Sequence, residues 1–240
     1  MRVNTLLGVS LGALLVVQVW AIEEDTLVEG IDYLEGVDYT KLAEPQPTES
    51  GEKIEVLEVF MYSCPHCFYL EPTLEKWLTT KPENVEFKRM PALFSAQVIP
   101  QAKAYYAAEL IGKGKQFHLP LLRALHEDGQ AIWDEDALVA FAAAQGIDGK
   151  EFRNAFNSFD ADMRVRRAAE MRERFSIDSV PTIIVNGKYR TSPSQTGGRE
   201  RMIQVIDHLI GIETDQPATE EAPTEAAPTE ETSPATSDDS

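Results

Sequence analysis

The sequence predicts an α/β protein in which a buried sheet is interrupted by an all-helical insertion, and three observations carry that reading. Residues 54–60 are short, β-branched and aromatic, the character of a buried strand. Residues 97–158 hold only helical patterns, punctuated by glycines. Residues 182–191 return to strand character as two runs joined by Asn186-Gly187, a pair that tolerates the positive φ of a tight hairpin turn.

The chain opens with one basic residue, Arg2, and an apolar run from Leu6 to Trp20. Val19-Trp20-Ala21 suits a signal-peptidase site, so residues 1–21 are expected to be a secretory signal cleaved near Ala21. The run also approaches the length of a membrane span, which leaves an uncleaved N-terminal anchor open. Either route delivers the remainder to an oxidising compartment, where a cysteine pair can cycle as a disulfide.

Residues 22–50 form an acidic segment with nine acids against Lys41 alone, a charge of −8. It contains a short duplication, Glu29-Gly30-Ile31-Asp32-Tyr33-Leu34 followed by Glu35-Gly36-Val37-Asp38-Tyr39. Two such short copies are too few for a repeat architecture, and the first has no assigned function.

The strand at 54–60 carries one acid out of place, Glu58, and runs into Cys64-Pro65-His66-Cys67, the only two cysteines in 240 residues. Pro65 suits the first helical position, because its missing N–H would be unpaired there anyway. Cys64 then lies at the helix N-cap, where free amides and the positive end of the dipole favour a thiolate. Cys67, one turn further in, is the shielded, resolving thiol, and His66 between them can add to thiolate stabilisation. Two other readings compete. A structural disulfide closing so short a loop constrains the unfolded chain very little, and a zinc site lacks a second C-x-x-C to complete four ligands.

The cysteine helix is expected to reach about Leu78 with Pro72 inside it, and Asn84–Met90 to form a second strand. The two-residue period puts Arg89 on one face with Val85 and Phe87. A charge there needs a partner, and the candidates are Glu58 first and Glu71 second. Helices follow at Pro100–Ile111, Gln116–Leu125, Glu135–Gln145 and Gly149–Phe159. Tyr105, Phe117, Trp133, Phe141 and Phe152 are expected to fill the core of this insertion, and His118 and His126 to have solvent or core roles. A helix from Asp160, its N-cap candidate, to Phe175 presents arginines as a solvated face.

Pro181 then enters a strand, which is anomalous because proline cannot donate to a ladder. A last helix, Arg199–Ile210, has Met202, Val205, Ile206 and Leu209 on one face. Residues 213–240 carry nine acids and no base among Pro, Thr and Ala, the composition of a disordered acidic tail. Of the total charge of −18, only −2 belongs to residues 51–212, so the acidity lies in the extremities.

The C-P-H-C quartet, the acid six residues before it, and Val180-Pro181-Thr182-Ile183-Ile184-Val185-Asn186-Gly187-Lys188-Tyr189 together resemble the DsbA family of periplasmic thiol:disulfide oxidoreductases, over about residues 30–212. The resemblance implies a thioredoxin-like fold in two parts, 51–96 and 159–212, around the helical insertion at 97–158, which would wall one side of the active-site cleft. It implies a redox-active Cys64–Cys67 disulfide with Pro65 and His66 as its intervening pair, and a cis Val180–Pro181 bond that faces the cysteines and offers a backbone edge to an extended substrate. It places Glu58 beneath the disulfide near Cys67, to accept a proton from that thiol, with Arg89 as counter-charge; a purely structural ion pair is the competing role.

The activity so implied is oxidation of cysteine pairs in unfolded or newly exported proteins, with reoxidation by a DsbB-like membrane quinone reductase. A periplasmic monomer is expected, with no cofactor, metal or nucleic-acid partner. Two alternatives remain at this level: a disulfide reductase or isomerase of the same fold, and a redox-regulated binding protein.

Overall fold

A computed structural model describes residues 32–215. The expected secretory signal or anchor, half of the first duplicated copy and nearly all of the acidic tail lie outside the described residues.

The sheet has five strands in the order β1-β5-β4-β2-β3. These are β1 Thr40–Lys41, β2 Ile54–Phe60, β3 Val85–Pro91, β4 Thr182–Val185 and β5 Tyr189–Thr191. β2 and β3 run parallel, which requires a crossover, and α1 (Pro65–Leu78) supplies it. β2 meets β4 antiparallel on its other edge, and every residue of β2 is buried. Glu55 is therefore a second acid inside the strand; it accepts from Ser50 Oγ at 2.8 Å and pairs with Lys88 Nζ at 3.1 Å.

Between β3 and β4 lie α2 (Ile99–Leu110), α3 (Gly114–His126), α4 (Glu135–Ala144), α5 (Gly149–Phe156) and α6 (Phe159–Arg174). Phe117, Leu121, Leu122, Leu138 and Phe152 are fully enclosed here and join Phe60, Tyr62 and both cysteines in one apolar cluster. A second cluster fills the other side, where Leu70, Leu74 and Trp77 of α1 meet Val56, Ile183 and the Met202, Val205, Ile206 and Leu209 face of the last helix. The cysteine-bearing end of α1 is thus wedged between the sheet and the helical block.

Several sequence expectations need correction. The N-cap of α6 is Ser158, whose hydroxyl accepts from Ala161 N at 3.1 Å, while Asp160 lies within the first turn. The preceding helix accordingly stops at Phe156. Trp133 does not fill the core; it is 38 % exposed, in the loop that ends at Asp134, the N-cap of α4. The last helix, which follows the short α7 (Pro193–Thr196), is α8 (Arg199–Asp215) and runs past the expected boundary. Glu213, assigned to the disordered tail, is buried and ion-paired with Lys188 Nζ at 2.6 Å. Asp38, assigned to an acidic extremity, is 3 % exposed; it accepts from Leu34 N at 3.0 Å and from Arg201 Nε at 2.8 Å, which ties residues before β1 to α8.

The β4–β5 turn is built as the Asn186-Gly187 pair requires, with φ of +49° and +64°. Gly187 has a second reason to lack a side chain, because a Cβ there would lie 2.0 Å from the Gln46 carbonyl oxygen.

Candidate active site

Cys64 is the N-cap of α1 with extended backbone (φ −92°, ψ 114°), and Pro65 occupies the first helical position. The Cys64 carbonyl accepts from Cys67 N at 3.1 Å and so begins the helix. Both cysteines are free thiols, so the geometry is that of the dithiol. Cys64 keeps slight access to solvent and Cys67 has almost none, while Pro65 and His66 are exposed.

The two thiols ionise very differently. Cys64 is pulled down from 9.0 to about 6, chiefly because the Cys67 thiol donates to its sulfur. Burial works against this, and the Cys67 and His66 backbone N–H groups and the His66 ring assist it. Cys67 is driven strongly upward, first by burial, then by giving its hydrogen to Cys64, then by the negative charge of Glu58. One thiol is an anion near neutrality and the other holds its proton.

Across from the pair, the Val180–Pro181 bond is cis, and Cys64 Sγ lies 3.5 Å from the Val180 carbonyl oxygen. Thr182 Oγ1 donates to Ser179 O at 2.8 Å and fixes the loop as it enters β4.

β2 and β3 bring Glu58 and Arg89 together as direct Cα partners. Arg89 Nε donates to Glu58 Oε2 at 2.8 Å, and Arg89 Nη2 to Glu71 Oε2 at 2.9 Å. Both acids expected as partners of Arg89 therefore share its guanidinium. Glu58 is wholly buried, and burial raises it from 4.5 to about 7 against the pull of Arg89. Its Oε1 finds no hydrogen-bond partner among the described residues. Burial raises Glu71 as well, again against Arg89.

Two residues escaped sequence reasoning. His118, on α3, reaches the Tyr62 hydroxyl with Nδ1 at 3.1 Å and Glu71 Oε1 with Nε2 at 3.0 Å. His126, two turns on, places Nε2 2.7 Å from the Tyr62 carbonyl oxygen and stacks on Phe68, with ring centroids 5.4 Å apart. The helical block thus grips the segment leading into Cys64 at both ends of one tyrosine. Their eight-residue spacing on one helix was the signal available, but the partners are far away in sequence.

Among the described residues no cluster of His, Cys, Asp and Glu could hold a metal ion. No helix there is long and apolar enough to cross a membrane.

Comparison with known proteins gives consistent relatives. The family model for the DSBA-like thioredoxin domain matches residues 55–209. The thiol:disulfide interchange protein DsbA of Burkholderia cepacia is 36 % identical over 176 residues, covering 73 % of this chain and 83 % of that protein. Its counterpart in Pseudomonas aeruginosa is 33 % identical, covering 75 % and 85 %. The crystal structure of P. aeruginosa DsbA superposes with a TM-score of 0.73 at 32 % identity, over 76 % of this chain and 95 % of that one. The DsbA of Xylella fastidiosa does so with a TM-score of 0.71 at 30 % identity, over 76 % and 98 %.

Proposed function

Taking as premise that this chain belongs to the DSBA-like thioredoxin domain family, we propose that it is a thiol:disulfide oxidoreductase that donates its Cys64–Cys67 disulfide to unfolded or newly exported proteins. The observation that carries the direction of transfer is the split between the two thiols. Stabilising the Cys64 thiolate stabilises the reduced enzyme and so makes its disulfide the oxidising partner.

In the oxidised enzyme a substrate thiolate attacks Cys64 Sγ; the Cys64–Cys67 bond breaks and Cys67 leaves with its electron pair and takes up a proton. A second substrate thiolate then attacks the substrate sulfur of the mixed disulfide and releases Cys64 as thiolate. The substrate loses two electrons and the enzyme is left as the dithiol. Pro65 starts the helix that stabilises Cys64, and His66 contributes its charge. Val180 and Pro181 are the substrate-binding edge, a role supported by the 3.5 Å approach of Cys64 Sγ to the Val180 carbonyl. Glu58 exchanges a proton with Cys67, supported by its charge acting on that thiol and by its unpartnered Oε1, and Arg89 and Glu71 hold it.

Turnover needs an acceptor for two electrons and two protons, and a DsbB-like membrane quinone reductase is the partner this reading names. It also takes the enzyme to be a periplasmic monomer released from its signal near Ala21. The test is to mix the oxidised protein with a reduced, unfolded two-cysteine protein. Rapid disulfide formation supports the proposal. Reduction of substrate disulfides in preference would favour the reductase or isomerase reading, and binding without thiol exchange would favour a redox-regulated binder.

A further inference from the structure

The acids around Arg89 are joined to the helical block through one imidazole. His118 is 5 % exposed, and the rings of Phe60 and Tyr105 pack against it edge to face, with centroids 4.9 and 6.0 Å away. Burial keeps the ring neutral by pulling it from 6.5 to about 3. A neutral imidazole has one donor and one acceptor. With Glu71 as carboxylate, which can only accept, the contacts on either side set the tautomer. The Tyr62 hydroxyl donates to Nδ1, and Nε2–H donates to Glu71 Oε1.

This hydrogen-bond order makes the two buried acids unequal. Glu71 receives a donor on each oxygen, His118 on Oε1 and Arg89 on Oε2. That full complement suits a carboxylate, and a proton on Glu71 Oε1 would force His118 into its other tautomer, with Nδ1–H turned toward the Tyr62 hydroxyl. Glu58 receives only Arg89, on Oε2, and its buried Oε1 is free to carry a hydrogen. Two acids compete for one guanidinium in a dry setting, where one of such a pair readily keeps a proton near neutrality.

We propose that His118 is a positioning residue that decides which buried acid carries this proton: by donating to Glu71 it holds that group as carboxylate and leaves the proton with Glu58, the acid that acts on Cys67. The other groups facing the cluster do not compete. Glu75 approaches Arg89 at 3.6 Å from α1 but is solvated, with its side chain 55 % exposed. On α2, the Tyr105 hydroxyl donates to the Arg89 carbonyl, and Glu109 acts on Arg89 only through its charge. Tyr62 and Cys67 are both driven upward and stay protonated.

The catalytic consequence rests on the proposed role of Glu58, but the ionisation itself can be measured apart from it. Carboxyl ¹³C shifts of the reduced full chain, assigned with Glu58→Gln and Glu71→Gln, should give Glu58 the inflection near pH 7 and keep Glu71 ionised well below it. In His118→Phe, which keeps the aromatic packing and removes both ring nitrogens, the Glu58 midpoint should fall by at least a pH unit, a tenfold change in acid constant, while that of Glu71 rises. His118→Gln, which can still donate to Glu71, should restore most of the original order. A neutral-range inflection on Glu71 in the natural protein would overturn the inference even if neither His118 variant folded, as would an unmoved Glu58 midpoint in a folded His118→Phe. If Glu58 titrates as expected but Glu58→Gln leaves Cys67 exchange unslowed, the proton-exchange role fails and the inference stands.

Discussion

Arg89 Nε lies 2.8 Å from Glu58 Oε2, and the same guanidinium reaches Glu71 through Nη2 at 2.9 Å, so a single cation serves two buried acids, one of which, Glu58, acts on Cys67 by its charge. One cation cannot fully neutralise both, and the shortfall appears in Glu58, raised from 4.5 to about 7 by burial. That gives the stability of the reduced protein a sign with pH. A carboxyl that binds its proton more tightly in the folded chain supports folding at low pH and loses that support as pH rises through about 7. The rise corresponds to about 3 kcal/mol. Urea unfolding should therefore show the natural protein losing stability relative to Glu58→Gln between pH 5 and pH 8, by about 2–3 kcal/mol. Parallel pH curves for the two proteins would remove the buried-acid account.

The Cys64 thiol works in the opposite sense. Its folded value of about 6 lies below the ordinary 9.0, so the stabilisation is fully present above pH 9 and fades as pH falls through 6. Alkylation of the reduced protein should follow a single inflection near pH 6, with about nine-tenths of Cys64 as thiolate at pH 7. Cys67 should stay unmodified until the protein is unfolded. Equal labelling of both native thiols would contradict the assigned roles.

At the start of α6 the cap is Ser158, and Asp160 contributes only its charge in the first turn. Ser158→Ala should cost about 1 kcal/mol and Asp160→Ala no more than about 0.5 kcal/mol, measured by urea unfolding. Neither should change Cys64 alkylation. A larger loss from Asp160→Ala would reassign the cap.

Gly187→Ala adds a methyl where the Gln46 carbonyl oxygen stands 2.0 Å away, at a φ of +64°. The loss should exceed about 2 kcal/mol, since the left-handed region alone costs a side-chain-bearing residue about 1–2 kcal/mol. Unfolding midpoints will show this, and an unchanged midpoint would mean the Gln46 segment can withdraw without cost.

The parts legible in the sequence were those governed by local rules. The proline after Cys64 and the apolar run before it located the strand-to-helix junction, and the two-residue period was enough to bring Arg89 to Glu58. Long-range partners were not legible. His118 meets Tyr62 and Glu71, which lie 56 and 47 residues away, across the boundary between the insertion and the sheet. Asp38 and Glu213 were read as part of acidic extremities because composition ignores burial, yet each closes an ion pair that ties a terminal segment to the sheet or to α8. Trp133 followed the habit of aromatics and was placed inside, but it falls in a loop just before the α4 cap and remains 38 % exposed.

The central claim is that thiolate stabilisation at Cys64 makes the Cys64–Cys67 disulfide an oxidant. The most direct measurement is the equilibrium of the purified protein with mixtures of reduced and oxidised glutathione, read by the state of Cys64 and Cys67. The account predicts that the protein takes electrons from glutathione, so that half of it is already the dithiol in mixtures dominated by oxidised glutathione. A disulfide that persists when reduced glutathione is in large excess would contradict it.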